Sequence, residues 1–195
     1  MLILIVSPHT DDAELAAGGS IHKWTGQNNE VYHIVFYPRF KKEFIEANKV
    51  LGVPESNLII KSMDRRTFPQ NRQKICDCLY DLRQKLNPDL VVGPYINDVH
   101  QDHQQVSAEC RRAFRRGTSI LEYELVHNCV NFVPTYYIKI SDENLQRKIE
   151  AVKCYKTESK KPYFHSELLV GLARIRGVQC DATYAEAFHA HRLGV

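Results

Sequence analysis

The chain lacks the marks of several large protein classes. Its six cysteines (Cys76, Cys78, Cys110, Cys129, Cys154, Cys180) contain no CxxC pair and form no compact framework, so disulfide stapling is excluded and reduced thiols in the cytoplasm are expected. No apolar run is long enough to span a bilayer. The short run at the N-terminus has no basic segment before it and does not read as a signal peptide, so no membrane association is expected. The formal net charge is only +3, and it is spread without a basic stripe, so no nucleic-acid partner is expected. GxGxxG and a phosphate loop are both missing, which removes the usual nucleotide cradles; the Gly18-Gly19 pair is read instead as easing helix packing or substrate approach. Repeats and low-complexity stretches are missing too. What remains is 195 residues, 44% hydrophobic and 25% charged, enough for one globular domain over 1–195.

What the chain does have begins at its first residues. Leu2-Ile3-Leu4-Ile5-Val6 reads as a strand buried on both faces. Pro8 stops it, and His9, Asp11, Asp12 and Glu14 follow where a helix opens toward Gly18-Gly19. Strand ends of parallel sheets are where ligands bind. His9 and Asp12, three residues apart, can be aimed at one ion by a tight turn, while Asp11 points elsewhere. Carboxylates also suit a helix N-terminus, so this stretch alone is equally a helix start that contains a histidine.

A second stretch repeats the arrangement. Leu90-Val91-Val92-Gly93-Pro94 reads as a strand, and Tyr95-Ile96-Asn97-Asp98-Val99-His100-Gln101-Asp102-His103 follows as a loop rich in His and Asp. Two such clusters, each after a strand of the same sheet, jointly offer a histidine, a carboxylate and a second histidine. That nitrogen and oxygen set suits zinc with an open position for water.

Pro8-His9-Thr10-Asp11-Asp12-Ala13-Glu14 resembles the PHxDDxE motif of the LmbE/PIG-L superfamily of zinc-dependent de-N-acetylases, and His100-Gln101-Asp102-His103 resembles its HxDH motif. Tyr184-Ala185-Glu186-Ala187-Phe188 is similar to the family's C-terminal segment. The resemblance implies that His9, Asp12 and His103 hold Zn2+, or another divalent metal, and that Asp11 is the general base of amide hydrolysis. His100, protonated, is expected to stabilise the oxyanion or protonate the leaving amine. Asp102 is expected to orient His100 and raise its pKa, and Asp98 to orient His103. The implied substrate is a small N-acylated molecule, an N-acetyl amino sugar or sugar conjugate foremost. A non-sugar amide would be served by the same site. A metal-binding protein without turnover has no need of a free base and acid beside three ligands. Arg65, Arg66, Arg72 and Tyr95 are the candidate substrate contacts, each weighed against simple exposure.

The rest of the chain alternates. Val31 to Tyr37 and Leu58 to Ile60 read as strands. Phe44, Ala47, Asn48 and Leu51 mark one helix face, and Ile75, Leu79, Leu82 and Leu86 mark another. Residues 62–72 form a polar loop. This βαβαβαβ pattern predicts an α/β, Rossmann-like, doubly wound and mostly parallel sheet with helices on both faces. Beyond it, Val106, Cys110, Ala113 and Phe114 line a helix whose Arg111, Arg112, Arg115 and Arg116 face solvent. Strands are expected over 119–125 and 132–140, a helix around Leu145, Ile149 and Val152, and a last helix over 167–176. His22, His33, His127 and His165 are read as structural, and His189 and His191 as an exposed tail. The number of chains that assemble is not fixed by sequence; a homo-oligomer stays open.

Overall fold

The computed structural model describes residues 1–115 and 117–194, so Arg116 of the arginine-rich helix face lies outside the described residues. Five strands run parallel: β1 (Leu2–His9), β2 (Glu30–Tyr37), β3 (Leu58–Ile60), β4 (Leu90–Pro94) and β5 (Ser119–Tyr123). Between them lie α1 (Asp12–Gly26), α2 (Lys41–Val50), α3 (Arg72–Leu86) and α4 (Gln101–Ala113). Then follow β6 (Tyr136–Ile140), α5 (Asp142–Lys153), α6 (Ser166–Val178) and β7 (Tyr184–Arg192). The strand order is β3-β2-β1-β4-β5-β7-β6, with β7 antiparallel to both of its neighbours. This is the doubly wound α/β fold the alternation predicts.

The pleat explains the continuous apolar runs. Along β1, Ile3 and Ile5 face a core built with α1, α5 and α6, while Leu4 and Val6 face a second core built with α3 and α4. A strand sandwiched between helices must be apolar at both parities. The Gly18-Gly19 pair serves packing: a Cβ at Gly18 would stand 2.9 Å from Lys148 Cγ, and one at Gly19 2.8 Å from Ile140 Cδ1.

The C-terminal third departs from expectation. The last segment is no exposed tail but a strand inserted between β5 and β6, with Ala185, Glu186, Ala187 and Phe188 buried. His189 Nδ1 hydrogen-bonds the Val133 carbonyl at 3.1 Å, and only His191 is exposed. Glu186 is stabilised inside by Lys148 Nζ at 2.6 Å and by the amides of Gly19 (3.0 Å) and Ser20 (2.6 Å). Lys148 also donates to the Ala16 carbonyl at 3.1 Å, so this buried pair stitches β7 and α5 to the middle of α1. β5 stops at Tyr123 and β6 starts at Tyr136, because Pro134 and the preceding loop cannot continue a ladder. None of the six cysteines is paired, and no helix among the described residues is long and apolar enough to cross a membrane.

Candidate metal and catalytic site

β1 and β4 are neighbours at the place where strand order reverses, with β2 and β3 on one side and β5 on the other. The crevice beyond their carboxyl ends is where a doubly wound sheet opens to a ligand. Both His/Asp clusters fall there. Asp12 Oδ2 lies 3.4 Å from His9 Nδ1 and 3.4 Å from His103 Nε2, and those two nitrogens are 3.1 Å apart. An ion bound tetrahedrally with bonds of ~2.0–2.1 Å holds its ligand atoms about 3.3–3.4 Å from one another. The triangle therefore fits three corners of such a site. His9, His100 and His103 also form a wider group, with ring nitrogens within 4.8 Å. The tighter set with Asp12 suits a cation better, because it adds a carboxylate, and because His100 already spends Nδ1 on accepting the Asp102 amide at 3.2 Å.

Each histidine of the triangle is held from behind by a carboxylate. Asp98 Oδ2 meets His103 Nδ1 at 2.8 Å, and Asp102 Oδ2 meets His9 Nε2 at 3.0 Å. These contacts fix the protonated nitrogen at the back of each ring and leave the other free to ligate. Asp98 serves His103 as the sequence suggested. Asp102 does not orient His100 through its carboxylate; that group reaches across the crevice to His9 and accepts the Arg66 amide at 3.0 Å.

The charges follow from this layout. Burial alone would depress His9, but the Asp12 carboxylate beside it and the hydrogen bond its ring donates to Asp102 outweigh it and raise its pKa from 6.5 to about 9. Burial works against ionised Asp12, yet His103 and His9 hold it far below the ordinary carboxylate range. The pocket thus draws positive charge, as a proton or as a cation. Asp11 is pushed well above its ordinary value by burial, then by Asp12 and Glu14. His100 corrects the expectation of a raised pKa: burial, then His103 and His9, lower it to about 4. It is a neutral ring whose Nδ1 accepts, so its proton resides on Nε2.

Asp11 sits at φ 89°, a conformation costing on the order of 1–3 kcal/mol for a residue with a side chain. Its amide donates to Tyr155 Oη at 3.1 Å, and that hydroxyl donates to Glu14 Oε1 at 2.8 Å. Asn48 Nδ2 donates to the same Glu14 oxygen at 2.9 Å, and Asn48 Oδ1 contacts His33 Nδ1 at 2.8 Å, whose Nε2 meets Ser7 Oγ at 2.8 Å. A buried polar chain therefore runs from β1 and β2 to strained Asp11. Burial raises Glu14 to about 7 and lowers His33 to about 4, so His33 is the structural histidine the sequence reading made it.

The triangle floors a cavity of ≈ 160 Å³ whose walls include Tyr37, Arg39, Phe40, Arg65, His127, Asn128, Lys161 and Tyr163. Of the candidate substrate contacts, Arg65 lines it. Arg66 contributes its backbone: the amide goes to Asp102 and the carbonyl accepts from Gln101 Nε2 at 3.0 Å. Arg72 and Tyr95 do not line it. Arg72 is exposed at the start of α3, and Tyr95 is a core residue packed edge-on against Phe132 at 4.9 Å. His127, read as structural, is instead part of the wall, stacked on Tyr163 with centroids 3.8 Å apart. Arg39 and Phe40 follow β2 at the same rim, a position the strand-end rule would have flagged. Lys161 and Tyr163 come from an irregular segment that carries no sequence signal.

No family model matches the chain. Among solved structures, the N,N'-diacetylchitobiose deacetylase from Pyrococcus horikoshii shares the fold with a TM-score of 0.79 at 19% identity, over 97% of this chain and 83% of that one. The zinc-inhibited form of a teicoplanin deacetylase matches at 0.81 and 14% identity, over 97% of each chain. The 4-carboxy-2-hydroxymuconate hydratase from Pseudomonas putida matches at 0.81 and 18% identity, over 100% of this chain and 97% of that one. The fold is thus one on which both deacetylases and a hydratase are built. It does not choose between them; the residues of the site must.

Proposed function

We propose that this chain is a zinc-dependent hydrolase that removes an N-acyl group, N-acetyl foremost, from an amino sugar or sugar conjugate. The observation that carries the reading is the triangle of His9, Asp12 and His103 with an uncommitted carboxylate, Asp11, beside it in the same cavity. A divalent cation held there supplies Lewis-acid activation of water and of the amide carbonyl. Asp11 takes the proton of the attacking water on a carboxylate oxygen and hands it to the leaving nitrogen. Burial gives it the proton affinity that this shuttle needs. His100, neutral, donates from Nε2 to the developing oxyanion, a change from the imidazolium acid expected from sequence. Asp102 positions both rings, His9 through its carboxylate and His100 through its amide. The stacked faces of His127 and Tyr163 and the cations Arg39, Arg65 and Lys161 give the mouth the mixed aromatic and polar character that suits a sugar conjugate. The deacetylases that share the fold support this substrate class.

The test is a panel of N-acetylated amino sugars and N-acyl amino acids, with free amine and acetate both measured. Amine release from the sugar members, abolished by a chelator and restored by zinc, is expected. Release only from the amino-acid members would move the reading to a non-sugar amidase. No release from any amide, or release indifferent to the chelator, would overturn the hydrolase reading.

A further inference from the structure

The helix α6 is apolar on two opposite faces. Leu169, Ala173 and Gly177 are buried against the body of the protein, and Gly177 is so close that a Cβ there would meet the Ala182 and Thr183 carbonyls at 2.7 Å. The opposite face carries Leu168, Gly171, Leu172, Ile175 and Val178 at helical spacing, with Leu168 36%, Ile175 56% and Val178 74% exposed. An apolar stripe left open on a folded surface marks an interaction site more often than a lone exposed leucine does. The charges on this helix say what covers it. Glu167 and Arg174 lie two turns apart on the same flank of the stripe, and neither is in an ion pair among the described residues. Arg176, on the other flank, is already paired with Glu124.

We propose that this face docks a second copy of the chain, α6 against α6 in antiparallel. Place a two-fold axis between Gly171 and Leu172: Leu168 then faces Ile175 of the second copy, and Glu167 lies two residues, ~3 Å along the helix, from the level of Arg174 of the second copy on the same flank, an offset that these two long side chains span, twice over. Such a stripe is its own complement, as an isologous interface requires. A partner of one charge sign would meet repulsion at either Glu167 or Arg174. A lipid surface would want cations along the flanks, where Glu167 stands. Gly171 has open space within 4 Å of a built Cβ, so the second backbone can come close at the axis. Arg174 is held ready by Tyr184, its guanidinium 4.8 Å above that ring. The contact extends toward the site: Leu168, Leu172 and the exposed Val126 share a cleft with His127 and Tyr163, which also wall the cavity. One helix pair is a small interface, so the association is reversible and concentration-dependent.

Sedimentation of the full-length chain, with zinc present, reads this directly. The mass should double as concentration rises into the high micromolar range. Ile175→Glu should keep the chain monomeric over the range in which the wild-type mass doubles, while leaving the thermal midpoint and metal content unchanged. Glu167→Arg and Arg174→Glu should each weaken association by about tenfold, and the double reversal should restore it. A larger assembly that drops by half on Ile175→Glu supports the proposal equally. A wild-type chain that stays monomeric throughout overturns it. So does an assembly that survives Ile175→Glu, or a double reversal no tighter than the single ones.

Discussion

Between β1 and β4 the chain brings His9, Asp12, His100 and His103 to the rim from two adjacent parallel strands; between α5 and β7 it brings Tyr155, Lys161, Tyr163 and Glu186 from an irregular segment and an antiparallel strand. The first region holds the His9, Asp12 and His103 atoms proposed to touch an ion. The second holds what keeps those atoms in place: Tyr155 on the amide of strained Asp11, and Glu186 with Lys148 across the middle of α1. The difference teaches that chemistry and its support have separate origins in the chain. Substitutions in the two regions should therefore fail in different ways.

The largest effect is expected in the first region. Asp12→Ala or His103→Ala should bring bound zinc below one tenth of an equivalent and activity to background, because three ligands leave no redundancy. Full zinc occupancy in either variant, by elemental analysis, would break the division at its root. Next comes Asp11→Asn, which should keep its metal and lose on the order of 10²–10⁴ in kcat. Wild-type turnover in that variant would hand the base to another group.

Proton linkage sharpens the comparison on the same side. His9 is raised from 6.5 to about 9 in the metal-free protein. Its protonation therefore stabilises the fold fully below pH 6.5, and that contribution is lost as pH rises through about 9. Zinc must displace this proton, so affinity should climb by up to about tenfold per pH unit across the same window. Calorimetry in buffers of different ionisation heat should count about one proton released at pH 7. An affinity flat from pH 6.5 to 9 would contradict the assignment.

The smallest effect belongs to the second region. Tyr155→Phe removes one hydroxyl and should lower kcat by about tenfold, with KM and zinc content little changed, because Asp11 loses the bond that fixes its amide. Unchanged kcat would reduce the C-terminal region to a purely structural role.

The sequence made the first region legible because its signals are local. A strand sandwiched between helices is apolar at every position, and a His/Asp cluster at its end needs no distant partner to be seen. The second region carries no such signal. β7 reads Tyr-Ala-Glu-Ala-Phe-His-Ala-His-Arg, without a β-branched residue, and its Glu186 is buried only because Lys148 and two helix amides receive it. Tyr155, Lys161 and Tyr163 follow no period, so only the folded chain sets them against the site. His100 failed for a different reason. Its closeness to Asp102 suggested a carboxylate pair, but as the residue capping α4 it receives the Asp102 amide, while the carboxylate turns to His9. Arg66, likewise, works through its backbone, which residue type does not reveal.

The central claim is that His9, Asp12 and His103 converge on one catalytic ion. A crystal grown with zinc, with anomalous differences collected at the zinc edge, tests it most directly. The account predicts a single strong peak ~2.0–2.2 Å from His9 Nδ1, Asp12 Oδ2 and His103 Nε2, with His100 and Asp11 outside bonding distance. A peak bonded instead to His100, or a zinc-soaked crystal with no peak at the triangle, would contradict it.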